Sequence, residues 1–185
     1  MSLTYSEMMP LGTIAPDFNL PEAVSGNDVS LDEIKSDNGT VVMFICNHCP
    51  YVIHVQDEIA GIAKEYQQKG ITFVAISAND VENYPADAPE FMKEKAAEVG
   101  YTFPYLYDES QKVAKAYQAA CTPDFYVFDG EMKCVYRGRM DDSSPGNGKP
   151  VTGFDLCNTL DALLDGTAIS EDQLPSMGCN IKWKQ

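Results

Sequence analysis

The sequence predicts an α/β domain built on a central mixed β-sheet flanked by helices, and three stretches carry that prediction. Val41 to Ile45 (VVMFI) and Ile71 to Ile76 (ITFVAI) are near-continuous apolar runs rich in branched side chains, as central strands covered on both faces require. Between them Val52, Val55, Ile59 and Ile62 recur at helical spacing and Gly70 follows, which marks an amphipathic helix with a C-terminal stop. Together these make one parallel βαβ unit. Phe125 to Phe128 and Met132 to Tyr136 flank Asp129-Gly130-Glu131, a turn signal that joins antiparallel strands and makes the sheet mixed.

The remaining elements follow in order. Residues 10–36 precede the first central strand as an N-terminal extension. Asp87 with Glu90 forms a capping-box pattern ahead of Met92, Ala96 and Val99, and Gly100 closes that helix. Asp108 with Gln111 opens another, which buries Val113 and Tyr117. Leu156, Leu160, Leu163 and Leu164 form the stripe of a last helix, and a tail runs over residues 166–185. Residues 143–150 (SSPGNGKP) read as a loop, and Asp141 and Asp142 beside it lack the regular ligand spacing of a cation site.

A length of 185 residues fits one domain, and 44% hydrophobic with 22% charged residues is an ordinary globular composition. The net charge of −15 repels polyanions, so nucleic acid and anionic membrane surfaces are not expected partners; small molecules or proteins are. The first basic residue is Lys35, and the uncharged stretch over residues 38–56 is broken by Asn47, His48, Pro50 and His54, so neither a leader nor a membrane span is read and a cytoplasmic location is expected. In a reducing compartment, six cysteines point to redox or metal chemistry ahead of structural disulfides.

Cys46-Asn47-His48-Cys49-Pro50 falls where the first central strand ends and the first long helix begins. The unpaired N–H groups of a helix start stabilise a thiolate, the species that attacks a disulfide, and two intervening residues bring the second sulfur within reach of the first. Protonation of His48 would add to that stabilisation. The sulfurs are expected to be reachable from solvent. A metal-binding or metal-delivery module using Cys46, Cys49 and a histidine is the competing reading; Cys121 could add a ligand, but no second CxxC or HxxxH pair exists.

Thr122-Pro123 stands immediately before the FYVF strand. A CxxC at the end of the first core strand, followed by βα and then a Thr-Pro opening the hairpin, resembles the thioredoxin fold. Residues 12–20 (GTIAPDFNL) with Val29-Ser30-Leu31 resemble the opening of the peroxiredoxin branch, the alkyl hydroperoxide reductase and thiol-specific antioxidant family. The segments FICNHCPYV, CTPDFYVFD, YRGRMDDSSPGNGKPVTG and GCNIKWK extend the resemblance to a peroxiredoxin-like subgroup over nearly the whole chain.

That resemblance implies a single thioredoxin-like domain over residues 1–185, with an N-terminal extension of peroxiredoxin type. It implies a thiol-disulfide oxidoreductase with Cys46 attacking, Cys49 resolving and a cis Thr122-Pro123 presenting backbone to a partner. The partners would be protein or small-molecule thiols and disulfides, with no bound organic cofactor and no metal. A thiol peroxidase reducing hydroperoxides is the alternative. Aligned on Cys49, however, the peroxiredoxin signature requires Thr at 46 and Pro at 42, where this chain has Cys46 and Val42. The tryptophan before the motif and the buried acid of thioredoxins are replaced by Ile45 and an uncharged TVVMFI, so no general base is identifiable.

Accessory candidates are His48, Cys121, Thr122, Pro123, Arg137 and Cys179. Cys121 reads either as a third redox thiol or as a buried loop cysteine; Arg137 either as a stabiliser of a peroxidatic thiolate or as a surface arginine. Cys179 either resolves a disulfide or packs with Ile181 and Trp183. Cys134 and Cys157 fall on apolar phases and read as packing residues, and His54 as a helix histidine.

Overall fold

The computed structural model describes residues 2–185. A short strand β1 (Leu3–Tyr5) precedes an antiparallel pair, β2 (Asn19–Pro21) and β3 (Asp28–Ser30), and a single helical turn α1 (Leu31–Ile34). Then come β4 (Thr40–Phe44), α2 (Pro50–Gln67), β5 (Thr72–Ser77), a 3-10 turn at Pro85–Asp87, α3 (Pro89–Val99), β6 (Tyr105–Tyr107) and α4 (Lys112–Ala116). The chain ends with β7 (Cys121–Thr122), β8 (Asp124–Phe128), β9 (Cys134–Gly138), α5 (Phe154–Asp165) and β10 (Met177–Asn180).

Five strands form the central sheet in the order β6-β5-β4-β8-β9, with β4 parallel to β5 and antiparallel to β8. The predicted mixed sheet is therefore present, its middle strand buried along its whole length. Alternation sorts the strands' side chains into two cores. Val41, Met43, Ile45, Phe73, Ala75, Phe125 and Val127 face α2, α3 and α5. Val42, Phe44, Val74, Ile76, Tyr126 and Phe128 face the N-terminal segment, α1 and α4. A one-residue slip of β4 would exchange every one of its side chains between these two environments, so register is strongly fixed. On the second face Tyr117 lies edge-on to Tyr126 and Phe128 with centroids 5.8 and 5.9 Å away, which seals α4 to the sheet.

The structure departs from the sequence reading at several points. Asp87 and Glu90 do not cap α3; Ala88 is its N-cap, held extended by Pro89, and the Asp87 carboxylate turns inward. A capping box does occur at Ser30 and Glu33. Asp108 reaches past Gln111 to accept from the Ala114 N–H at 2.9 Å, and the helix starts only at Lys112. The second hairpin strand starts at Cys134, because Met132 adopts φ 58 within the turn, where the Asp129 carboxylate receives the Glu131 and Lys133 N–H groups. The Asp141 carboxylate accepts from the Ser143, Thr152 and Gly153 N–H groups ahead of α5.

The tail does more than follow the last helix. β10 lies between β1 and β7 in a separate three-stranded sheet, with Cys179 opposite Thr122 and Asn180 opposite Cys121. Lys182 N–H then donates to Asn79 Oδ1 and Lys184 N–H to Gln111 Oε1, each at 2.8 Å. Gly178 makes the close approach possible, since a Cβ there would lie 1.9 Å from Thr122 O. Gly178→Ala should therefore destabilise the protein by about 1–3 kcal/mol, as backbone overpacking does. Urea unfolding measures this, and an unchanged midpoint would show that β10 can shift without loss.

Candidate active site

Cys46 and Cys49 stand where β4 gives way to α2. Cys49 is the N-cap of α2, its carbonyl accepts from Val52 and Ile53, and Pro50 occupies the first helical position, where its missing N–H costs nothing. Facing the pair is Thr122, joined to Pro123 by a cis peptide bond. Thr122 Oγ1 lies 3.4 Å from Cys46 Sγ and Thr122 O lies 3.3 Å from Cys49 Sγ, so one residue touches both sulfurs. A third sulfur completes the cluster: Cys179 Sγ is 2.6 Å from Cys49 Sγ.

The sulfurs are not reachable from solvent as the sequence reading expected. Cys46, Cys49 and Cys179 are 2%, 0% and 4% exposed. The tail strand contributes to this at Cys49, since it packs on α2 and places Cys179 against that sulfur, while Thr122 lies against Cys46.

Asp87 supplies what the sequence did not reveal. This carboxylate is fully buried and accepts from the Asn47 N–H at 2.8 Å and from Asn79 Nδ2 at 2.8 Å, while His48 Nδ1 sits 2.6 Å away. His48 also stacks on Tyr84, and Tyr105 donates to Asn47 Oδ1 at 3.0 Å, so both residues between the cysteines are held in place. The only sequence signal for Asp87 was its helix-start pattern, which points to a local partner and conceals a distant one.

Charge is divided unequally among the sulfurs. The hydrogen bond from Cys46 pulls Cys49 down to about 5 against the cost of burial, with further help from Cys179 and the Val52 N–H. The same hydrogen bond pushes Cys46 well above the ordinary thiol range, reinforced by burial and the nearby Asp87 carboxylate. Burial, then the contact with Cys49, pushes Cys179 up to about 12. The Thr122 carbonyl opposes charge on Cys49, but the donors converging there outnumber it. These shifts favour an anion on Cys49, at the helix start, over one on either of the other two sulfurs.

Other candidates lie elsewhere. Cys121 points the opposite way along β7, towards the carbonyls of Pro123 and Ser176, and burial raises its thiol. Arg137 donates from Nε to Met9 O and from Nη1 to Gln173 Oε1, both at 2.7 Å, so the structure does not bring it to the sulfurs. His54 pairs with Ser143 Oγ at 2.7 Å. Asp124, after Pro123, is a buried acid raised to about 7 by desolvation, and Ser6 and Tyr126 donate to it. Among the described residues, Cys46, His48 and Asp87 bring ligand atoms within 4.8 Å of one another. That set differs from the predicted metal set of Cys46, Cys49 and a histidine.

With a helix-start CxxC facing a cis proline on this sheet, the chain has a thioredoxin-like fold. The chain belongs to the AhpC/TSA family, whose model matches residues 11–137. It is 27% identical over 143 residues to the thiol-disulfide oxidoreductase ResA of Geobacillus kaustophilus, covering 74% of this chain and 75% of that one. Among solved structures, a conserved protein from Geobacillus kaustophilus is 59% identical, with a TM-score of 0.98 over 100% of this chain and 97% of that one. Peroxidoxin BcpB from Mycobacterium tuberculosis shares the fold at 19% identity, with a TM-score of 0.63 over 86% of this chain and 98% of that one.

The charge distribution has a spectroscopic consequence. A pair whose first apparent pKa lies near 5 holds a thiolate at neutral pH and loses it as pH falls through that value. Thiolate absorbance at 240 nm should therefore show one anion at pH 7 that titrates away near pH 5, and Cys49→Ser should abolish it. Persistence of the anion in Cys49→Ser would place the charge on Cys46.

Proposed function

We propose that the protein is a thiol-disulfide oxidoreductase whose working couple is Cys46 and Cys49, acting on protein or small-molecule disulfides without a bound organic cofactor. The observation that carries this reading is the CxxC at the start of α2, with Thr122 against both of its sulfurs.

The chemistry follows from the shared proton. Transfer of the Cys46 proton to Cys49 leaves a Cys46 thiolate, which attacks one sulfur of the client disulfide; the client's other sulfur departs as a thiolate. The Cys49 proton neutralises that leaving group. Cys49 then attacks Cys46 Sγ, the Cys46–Cys49 bond forms, and the client's second sulfur is released. Two electrons pass from the dithiol to the client, and an external dithiol returns them. Cys49 thus serves as proton acceptor as well as resolving thiol, so no acid in β4 is required. A cytoplasmic setting, proposed from the sequence, would keep the couple reduced and ready to donate. No helix among the described residues is long and apolar enough to cross a membrane.

Cys46→Ser should slow dithiothreitol-driven insulin reduction well below the wild-type rate while the thermal unfolding midpoint is retained. Full activity in a folded Cys46→Ser protein would remove Cys46 as the nucleophile. Peroxide chemistry is separated by stopped-flow oxidation with hydrogen peroxide. Since Val42 and Cys46 replace the Pro and Thr of the peroxidase signature, the rate should not exceed that of free cysteine.

A further inference from the structure

We infer that Cys179 is a third redox thiol, which takes the disulfide over from the Cys46–Cys49 pair by forming a Cys49–Cys179 bond and returning Cys46 to the thiol state. This deepens the proposed function and rests on it.

Several independent features converge on Cys179. Its sulfur lies 2.6 Å from Cys49 Sγ, although 130 residues separate the two in sequence. A disulfide bond is about 2.05 Å long, so bonding needs only a small approach of side chains already in contact. The position is held by backbone: Cys179 pairs across the sheet with Thr122, the residue that touches both Cys46 and Cys49. The Tyr51 N–H at the start of α2 and the Lys182 ammonium both favour an anion at Cys179, which offsets part of the burial that opposes it. Cys121, one pairing step away, faces the carbonyls of Pro123 and Ser176, so the geometry selects one of the two accessory cysteines.

The exchange balances without an added oxidant. A client disulfide has already oxidised Cys46 and Cys49. Cys179 sulfur attacks Cys49 Sγ, the Cys49–Cys179 bond forms, the Cys46–Cys49 bond breaks, and Cys46 leaves with the electron pair of that bond. The proton given up by Cys179 goes to Cys46, where burial and the nearby Asp87 carboxylate still favour the protonated form. The cluster holds one disulfide before and after. The sulfur that meets clients is again a thiol, and the oxidising equivalent rests beneath the tail strand until an external dithiol removes it.

The test uses the full-length protein as wild type, Cys46→Ser, Cys49→Ser and Cys179→Ser. Each is oxidised with glutathione disulfide and blocked with N-ethylmaleimide in denaturant. It is then digested with proteases that separate Cys157 from Cys179, and its linked peptides are assigned by fragmentation mass spectrometry. Wild type should contain both the Cys46–Cys49 and Cys49–Cys179 links, Cys46→Ser the second alone, and Cys49→Ser neither. In Cys46→Ser, both Cys49 and Cys179 should be lost from alkylation. A Cys46→Ser protein that stops at a glutathione adduct on Cys49, with Cys179 fully alkylated, overturns the inference. The absence of a Cys49–Cys179 link from oxidised wild type does the same even if the variant fails to fold. Cys179→Ser separates the two claims: absence of a Cys46–Cys49 link there sinks the proposed couple, whereas a Cys49–Cys179 link in Cys46→Ser would still stand.

Discussion

The pairing of Cys179 with Thr122 across two very short strands is the constraint on which the site depends. Thr122 is held by that pairing on one side and presents its hydroxyl and carbonyl to Cys46 and Cys49 on the other. Without β10, Cys49 would lose both a sulfur contact and the cover that excludes water. Low local dielectric strengthens each remaining interaction, so a few hydrogen bonds suffice to separate the proton affinities of two adjacent thiols. Fold and chemistry therefore meet in one ladder of backbone hydrogen bonds at the end of the sheet.

The buried Asp87 sets the second boundary. Its carboxylate accepts from two partners and lies against His48, which fixes the two residues between the cysteines. Its carboxylate beside Cys46 works against an anion on that sulfur, while Cys46, Cys179 and the Val52 N–H favour one on Cys49. Cys46, the sulfur assigned to meet the client, is thereby biased towards its protonated form.

Much of the fold was legible because its signals are local. The branched runs at 41–45 and 71–76 and the helical spacing of Val52, Val55, Ile59 and Ile62 each report which faces are covered, and the structure covers those faces. The CxxC at the strand-to-helix junction was legible for the same reason. Asp87 and Cys179 were harder because their partners lie far along the chain. Asp87 sits in a pattern that mimics a helix cap, and Pro89 removes that role. Cys179 belongs to MGCN, a strand too short to show alternation, in which Gly178 allows the close approach to Thr122. Arg137 shows the converse: read as a thiolate stabiliser or a surface arginine, it gave no local sign that Met9 and Gln173 would occupy its guanidinium.

Burial of all three sulfurs carries a kinetic consequence. A reagent cannot collide with a thiol that has no open surface, so turnover is clocked by the fraction of time the cover is raised, multiplied by the intrinsic speed of the bared group. Under such gating, loosening a few terminal amides would quicken the enzyme as effectively as sharpening its nucleophile. Selection on the last dozen residues would then tune throughput while leaving the motif itself untouched.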